Sequence, residues 1–504
     1  MISPTGDVPH FLPTSGDDSS SQITVQAEKE KTYVKPLKAA PRKEISLYTK
    51  LVIVGLSMTE GFNIGYMESL MSIFRQRQII SSKIGLLTLM LYPFLLCFIG
   101  APLVDKYYSP SFGKRKTYLF PCKMIIATAL IVFSFLVDDA VDRNDIPFIA
   151  FYLFFVGLVQ LFDFNALTGL RYEIFGVENT DMASYTLYAG IAFGSLCSYD
   201  LFTLLNSDYF CRDIIGISNS KLLTHRMINL FFAFINLSSG IGVMFVAEEI
   251  EEDGASRKMM SVFSLLKVFF TDEIYKRLVF WLLFSGCGVI ALRATISLQL
   301  IHKGMRREDI IMVICAADIC NLGWNYALKR FMKPGQILRV CTLYLVMYLL
   351  LLYIDLYNVL SFDPSSNYRR TVILFFVCLF LECGCPWMSY HIGIINSTTY
   401  KRYAATYATT LFGLVNLGKV LPVSFTVTLL DFINYPTLFI IMNIANLCFL
   451  FLAYKPMASK VDETQLDVLH APIRELEGID EGEAQSFREG INGSLKERME
   501  EDIF

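Results

Sequence analysis

The residues of this sequence that could do chemistry are ionisable side chains set inside long apolar runs. Arg293 stands deep in one such run, and Lys123, Lys419 and Arg171 stand in or near the ends of others. A charge near the middle of a bilayer costs a few kcal/mol, so each needs a partner or a water-filled space. A guanidinium keeps its proton and meets phosphate oxygens two at a time. One reading therefore has Arg293, helped by Lys419 and Arg171, offering fixed positive charge to the phosphate groups of a solute. The competing reading pairs Arg293 with an intramembrane acid, Asp318 or Glu382, as a staple between helices. Glu60, Glu68, Asp163, Asp200, Asp318 and Glu382 are the embedded acids. Because a desolvated carboxylate holds a proton more readily, Glu60 and Asp163 are candidates for proton coupling. Trp324 and Tyr407 offer faces on which a flat ring could stack, and Asn416 offers an amide, although aromatic side chains in membrane helices more often pack.

Other chemistries find less support. The five histidines (His10, His225, His302, His391, His470) are scattered, and four lie outside the apolar runs, which argues against a membrane-embedded acyltransferase. His391 has no ligand partner at helical spacing, and the 12 cysteines lack metal-ligand spacing. Neither a metal nor a cofactor is expected. A net charge of −3 gives no reason to expect nucleic acid.

The elements that must position these groups are membrane helices. The chain is 54% hydrophobic and only 18% charged, where a soluble protein carries roughly a quarter charged residues. A helix needs about 20 apolar residues to cross a core of about 30 Å. Such runs fall near 46–74, 83–105, 117–138, 147–171, 181–206, 226–248, 277–300, 308–331, 336–359, 371–396, 404–430 and 433–454. Lys and Arg are about twice as abundant in the connections on one side as on the other, which places both termini in the cytosol. The longest connection, 249–276, divides the runs six and six. It opens acidic and then sets Val262, Leu265, Leu266 and Phe269 on one helical stripe, as an interfacial helix would. The expected organisation is a disordered N-terminal tail (1–44), a six-helix half (45–248), a cytosolic linker (249–276), a second six-helix half (277–454) and a disordered C-terminal tail (455–504). That is an all-α integral membrane protein of major facilitator type, about twelve transmembrane helices in two halves around a central cavity. Gly61 with Gly65, and Gly190 with Gly194, are small residues four apart, the pattern of close helix contacts.

The connection after the second run reads GAPLVDKYYSPSFGKRKTYL from Gly100 to Leu119. Asp105 at a helix end and the cluster Lys114, Arg115 and Lys116 can form a charge lock between neighbouring helices. This stretch resembles the acetyl-coenzyme A transporters of the endoplasmic reticulum membrane, a branch of the major facilitator superfamily. Further matches are Glu178, Asn179, Ala183, Ser184, Gly190 and Gly194, then Ser207, Phe210 and Cys211, then Thr406, Tyr407, Thr409, Asn416, Leu417, Gly418, Pro422 and Asp431. The departures are Glu60-Gly-Phe-Asn63-Ile-Gly65 in place of a Gln-Gly-Ile-Pro-Leu-Gly, DFNALTG at 163–169 with one acid kept, and Arg293 in place of an acid. The resemblance implies a transporter of acetyl-coenzyme A, or of a related anionic nucleotide-type solute, in the endoplasmic reticulum membrane and working by alternating access. A facilitator for a different small solute is the alternative, and a non-transporting scaffold or receptor a further one.

Overall fold

The computed structural model describes residues 45–176, 179–217, 221–246, 262–284, 287–328, 337–383, 395, 399 and 404–458. Both expected tails, apart from residues 455–458, and residues 249–261 of the expected linker lie outside the described residues. Lipid offers no hydrogen bonds, so a spanning backbone must satisfy its own groups. The long elements are accordingly helices: α1 (Leu47–Gln76), α2 (Ser81–Lys106), α3 (Lys116–Ser134), α4 (Ile146–Phe175), α5 (Met182–Leu205) and α6 (His225–Met244). A short α7 (Val262–Thr271) follows, then α8 (Glu273–Phe284), α9 (Cys287–His302), α10 (Arg307–Leu328) and α11 (Ile337–Ser361). The last three are α12 (Tyr368–Cys383), α13 (Ala404–Leu429) and α14 (Tyr435–Ala458). Each of the apolar runs expected from the sequence overlaps one of these helices, the seventh overlapping both α8 and α9. Among the described residues, 7 spans are long and apolar enough to cross a membrane: α2 to α6, Leu278–His302 and α13.

Helix starts are set where a side chain can satisfy the first free N–H groups. Ser46 accepts from the Thr49 amide at 3.1 Å before α1, Asp145 from Phe148 at 3.3 Å before α4, and Thr224 from Met227 at 3.2 Å before α6. Helix α5 carries a π-helical turn at Leu196–Leu201. Outward faces are apolar, as lipid requires: Phe151, Phe234 and Val132 are all exposed. In α7, Leu265 and Phe269 are buried while Phe263 and Phe270 are exposed, the division an amphipathic helix makes.

Glycine decides which helices meet most closely. A Cβ at Gly61 would overlap the Ile191 carbonyl and one at Gly194 the Met58 carbonyl, so α1 and α5 cross backbone to backbone. A Cβ at Gly418 would likewise overlap the Leu283 carbonyl, closing α13 on α8. At the first turn of α9, the Gly288 amide donates to the Asn446 side chain at 3.0 Å, tying it to α14.

Replacing Gly194 by Val forces that backbone apart and is expected to cost about 1–3 kcal/mol or more. Gly323→Ala, where nothing lies within 4 Å, should stay within about 1 kcal/mol of wild type, on the stabilising side. Thermal unfolding of the detergent-purified proteins checks both.

Candidate functional site

Three groups of charged residues are assembled from the helices. The first joins α1, α3 and α4. Lys123 and Asp163, both fully buried, form an ion pair at 2.7 Å. The Lys123 ammonium also donates to the Thr59 hydroxyl at 2.6 Å and the Leu56 carbonyl at 3.0 Å, while Gln160 donates to the Thr59 carbonyl at 2.9 Å. Glu60 is buried one residue from Thr59, in electrostatic range of Asp163, Lys123 and Arg171, and its Oε1 has no hydrogen-bond partner among the described residues. Arg171 is fully buried, its guanidinium 6.0 Å from the Phe412 ring centre. Glu60 and Asp163, singled out together in the sequence as proton-coupling candidates, thus neighbour Arg171, which the sequence reading sets beside Arg293. Lys123 completes them, because its face of α3 turns toward α1 and α4.

The second group centres on Arg293. Its Nη1 lies 3.3 Å from Asp355 of α11 and its Nε 3.3 Å from Glu382 of α12, with the Phe375 ring beneath it at 5.2 Å. Of the two partners expected from the sequence, Glu382 is the one found in an ion pair. Asp355 was not singled out in the sequence, although an acid within the apolar run YLLLLYIDLYNVL signals a need for a partner. One cation against two acids leaves this clasp with one excess negative charge when all three are ionised. Lys419 is buried on α13, Asn416 half-buried one turn away, and Trp324 exposed on α10. Tyr407 donates to the Tyr275 hydroxyl at 3.1 Å and packs edge-on against Phe269 of α7.

The third group lies at the end of α2. Arg115, fully buried, binds Asp105 at 2.8 Å and Glu173 at 2.6 Å, with Lys114 at 3.9 and 3.6 Å from the same two acids. The expected lock forms with Asp105, Lys114 and Arg115 and gains Glu173 from the end of α4. Lys116 turns away and donates to the Met244 carbonyl of α6 at 3.1 Å. Asp105 also accepts from the amide and hydroxyl of Thr406, at 2.8 and 2.6 Å, at the start of α13.

The opposite end of α2 is held from the same partner helix. Asp431, just past α13, accepts from the Ser81 and Ser82 amides at 3.0 and 2.7 Å. The span of α2 is 26 residues, about 39 Å at 1.5 Å each, so the two contacts sit at opposite membrane faces. Between them, the Cys97 thiol donates to the Thr409 carbonyl at 3.2 Å. Helices α2 and α13 thus run antiparallel and pinned at both ends. Burial pushes the Asp431 carboxyl up, but the hydrogen bonds from Ser82 and Ser81 outweigh it and hold it below its ordinary value.

Residues 50–252 match the family model described as Acetyl-coenzyme A transporter 1, a stretch that includes the Asp105 lock and the Lys123 cluster. An uncharacterized protein of Schizosaccharomyces pombe is 23% identical over 399 residues, covering 77% of this chain and 74% of that protein. In structure the chain is similar to the human organic anion transporter MFSD10 (TETRAN), with a TM-score of 0.52 at 14% identity, covering 81% of this chain and 100% of that one. It is also similar to the nucleoside transporter NupG, with a TM-score of 0.52 at 13% identity, covering 82% and 100%. The chain is a multi-pass membrane protein that shares the fold of these major facilitator transporters. Its residues 50–252 carry the pattern of the acetyl-coenzyme A transporter family.

Two outcomes follow from this geometry. Lys123→Met or Asp163→Leu alone strands a buried charge and should cost about 3–5 kcal/mol, while the double substitution should recover much of the loss; melting of the four proteins reads this coupling. Asp431→Ala should be less stable than wild type at neutral pH. A lowered carboxyl contributes its stability above its ordinary value, about 3.9, and loses it as pH falls through the lower folded value, so the two melting curves should converge in acid.

Proposed function

We propose that this protein carries acetyl-coenzyme A, or a closely related anionic coenzyme A or nucleotide-type solute, across an organelle membrane. The endoplasmic reticulum is the foremost candidate, with both termini in the cytosol. The observation that carries this reading is the match of residues 50–252 to the acetyl-coenzyme A transporter family.

The mechanism is alternating access between two six-helix halves, 45–248 and 277–454, joined by the 249–276 connection. The glycine-closed crossing of α1 on α5 has a counterpart in that of α13 on α8, which supports a structural repeat. The halves are latched at both faces along α2 and α13. Opening one face requires breaking Asp105 from Thr406, and opening the other requires breaking Asp431 from Ser81 and Ser82. The Arg115 lock beside Asp105 offers alternative partners, so the first latch can open without stranding its acid.

Phosphates of the solute would compete with Asp355 and Glu382 for Arg293, because a phosphate offers the same paired oxygens as a carboxylate. Lys419 and Arg171 supply further positive charge. The departures at Glu60, Asn63, 163–169 and Arg293 favour a second reading, a facilitator of the same fold for another small solute.

Purified protein in liposomes should take up labelled acetyl-coenzyme A above empty vesicles, with uptake competed by unlabelled coenzyme A. Arg293→Ala should lower uptake about tenfold or more, the worth of a lost charged hydrogen bond. Uptake of another solute with none of acetyl-coenzyme A would establish the second reading instead.

A further inference from the structure

A second seam joins the parts of the molecule on either side of the 249–276 connection, and it contains an acid pair with no cation. Helix α5 packs on α10 through Tyr199, Leu204 and Ile311, with Ile314 against them. On α10, Ile311, Ile314 and Asp318 follow at helical spacing, so Asp318 shares the face that meets α5. On α5, Asp200 lies four residues before Leu204 and shares its face. The two helices run antiparallel, since Ser207, just past α5, donates to Glu308 at the start of α10 at 2.6 Å.

The Asp200 side chain is fully buried, and neither of its oxygens receives a hydrogen bond from a donor among the described residues. It lies within hydrogen-bonding reach of the Asp318 carboxyl, with the Glu68 carboxyl of α1 in electrostatic range. The other titratable groups facing this place are Tyr199 and Cys197 on α5 and Cys315 on α10. Among the described residues, Arg293 is the cation in electrostatic range, on the Asp318 side, and it is already clasped by Asp355 and Glu382. Two ionised carboxylates present only lone pairs to each other and repel. Among the described residues no three acids, cysteines or histidines converge closely enough to hold a metal ion. The ligand that fits the contact is a proton.

We propose that Asp200 and Asp318 share one proton across the α5–α10 seam and act as a protonable latch. In the closed seam, one carboxyl donates its O–H to the other carboxylate. When α5 and α10 part, water reaches both groups, the proton leaves to solvent, and both carboxylates ionise. Closing the seam again takes up one proton. Opening at this seam is thereby tied to proton release, and the transport cycle becomes sensitive to pH. The coupling rests on the transporter reading, whereas the shared proton does not.

Infrared spectra of the full-length purified protein test the pair without any solute. The carbonyl band of protonated carboxyls should lose intensity in Asp200→Asn and in Asp318→Asn. The double variant should lose no more than either single one, because the pair holds one proton. Equal band intensity in all four proteins would overturn the proposal, as would a doubled loss in the double variant, which means two independent protonated acids. In liposomes, both single variants should keep solute counterflow but lose the stimulation of net uptake by an imposed pH gradient; retained stimulation overturns the coupling. If wild type transports nothing, the proposed function fails while the infrared result still decides the proton.

Discussion

A charge in hydrocarbon must have a counter-charge, a hydrogen-bonding cage or water, and that constraint organises this structure more than any packing preference. Lys123 has Asp163, Arg115 has Asp105 and Glu173, and Arg293 has Asp355 and Glu382. Every one of these pairs joins different helices or the residue that caps one. The ionic groups therefore set which helix faces meet, and a change in one partner is felt by the helix that carries the other.

The same groups are placed where helices would have to move. Helices α2 and α13 lie alongside each other and are gripped at both ends, at Thr406 by Asp105 and at Ser81 and Ser82 by Asp431. Within each side, by contrast, glycine removes the side chains between α1 and α5 and between α8 and α13. Backbone contact without side chains makes a rigid unit, and a few directional hydrogen bonds make a breakable seam. Rigid units meeting at breakable seams are what rocking motion requires.

Net charge also differs between the sites. The Lys123 cluster balances one cation against Asp163, with Glu60 and Arg171 close by, while the Arg293 clasp carries one acid too many. An anion entering beside Arg293 would have to compete with both carboxylates and would add to a charge already one negative in excess, because the displaced acid stays in the site.

Much of this was determined by the sequence alone. Apolar runs of about 20 residues place the helices, because hydropathy is a local quantity and the bilayer sets the length. The Asp105, Lys114 and Arg115 lock was legible because its members lie within ten residues, and the glycine pairs because small residues four apart share a face. Partners distant in the chain were not legible. Asp355 is 62 residues from Arg293 and Thr406 is 301 from Asp105, and no local period says which face of one helix will meet which face of another. Only the tertiary packing decided that, by bringing buried charges to the few places where their fields cancel.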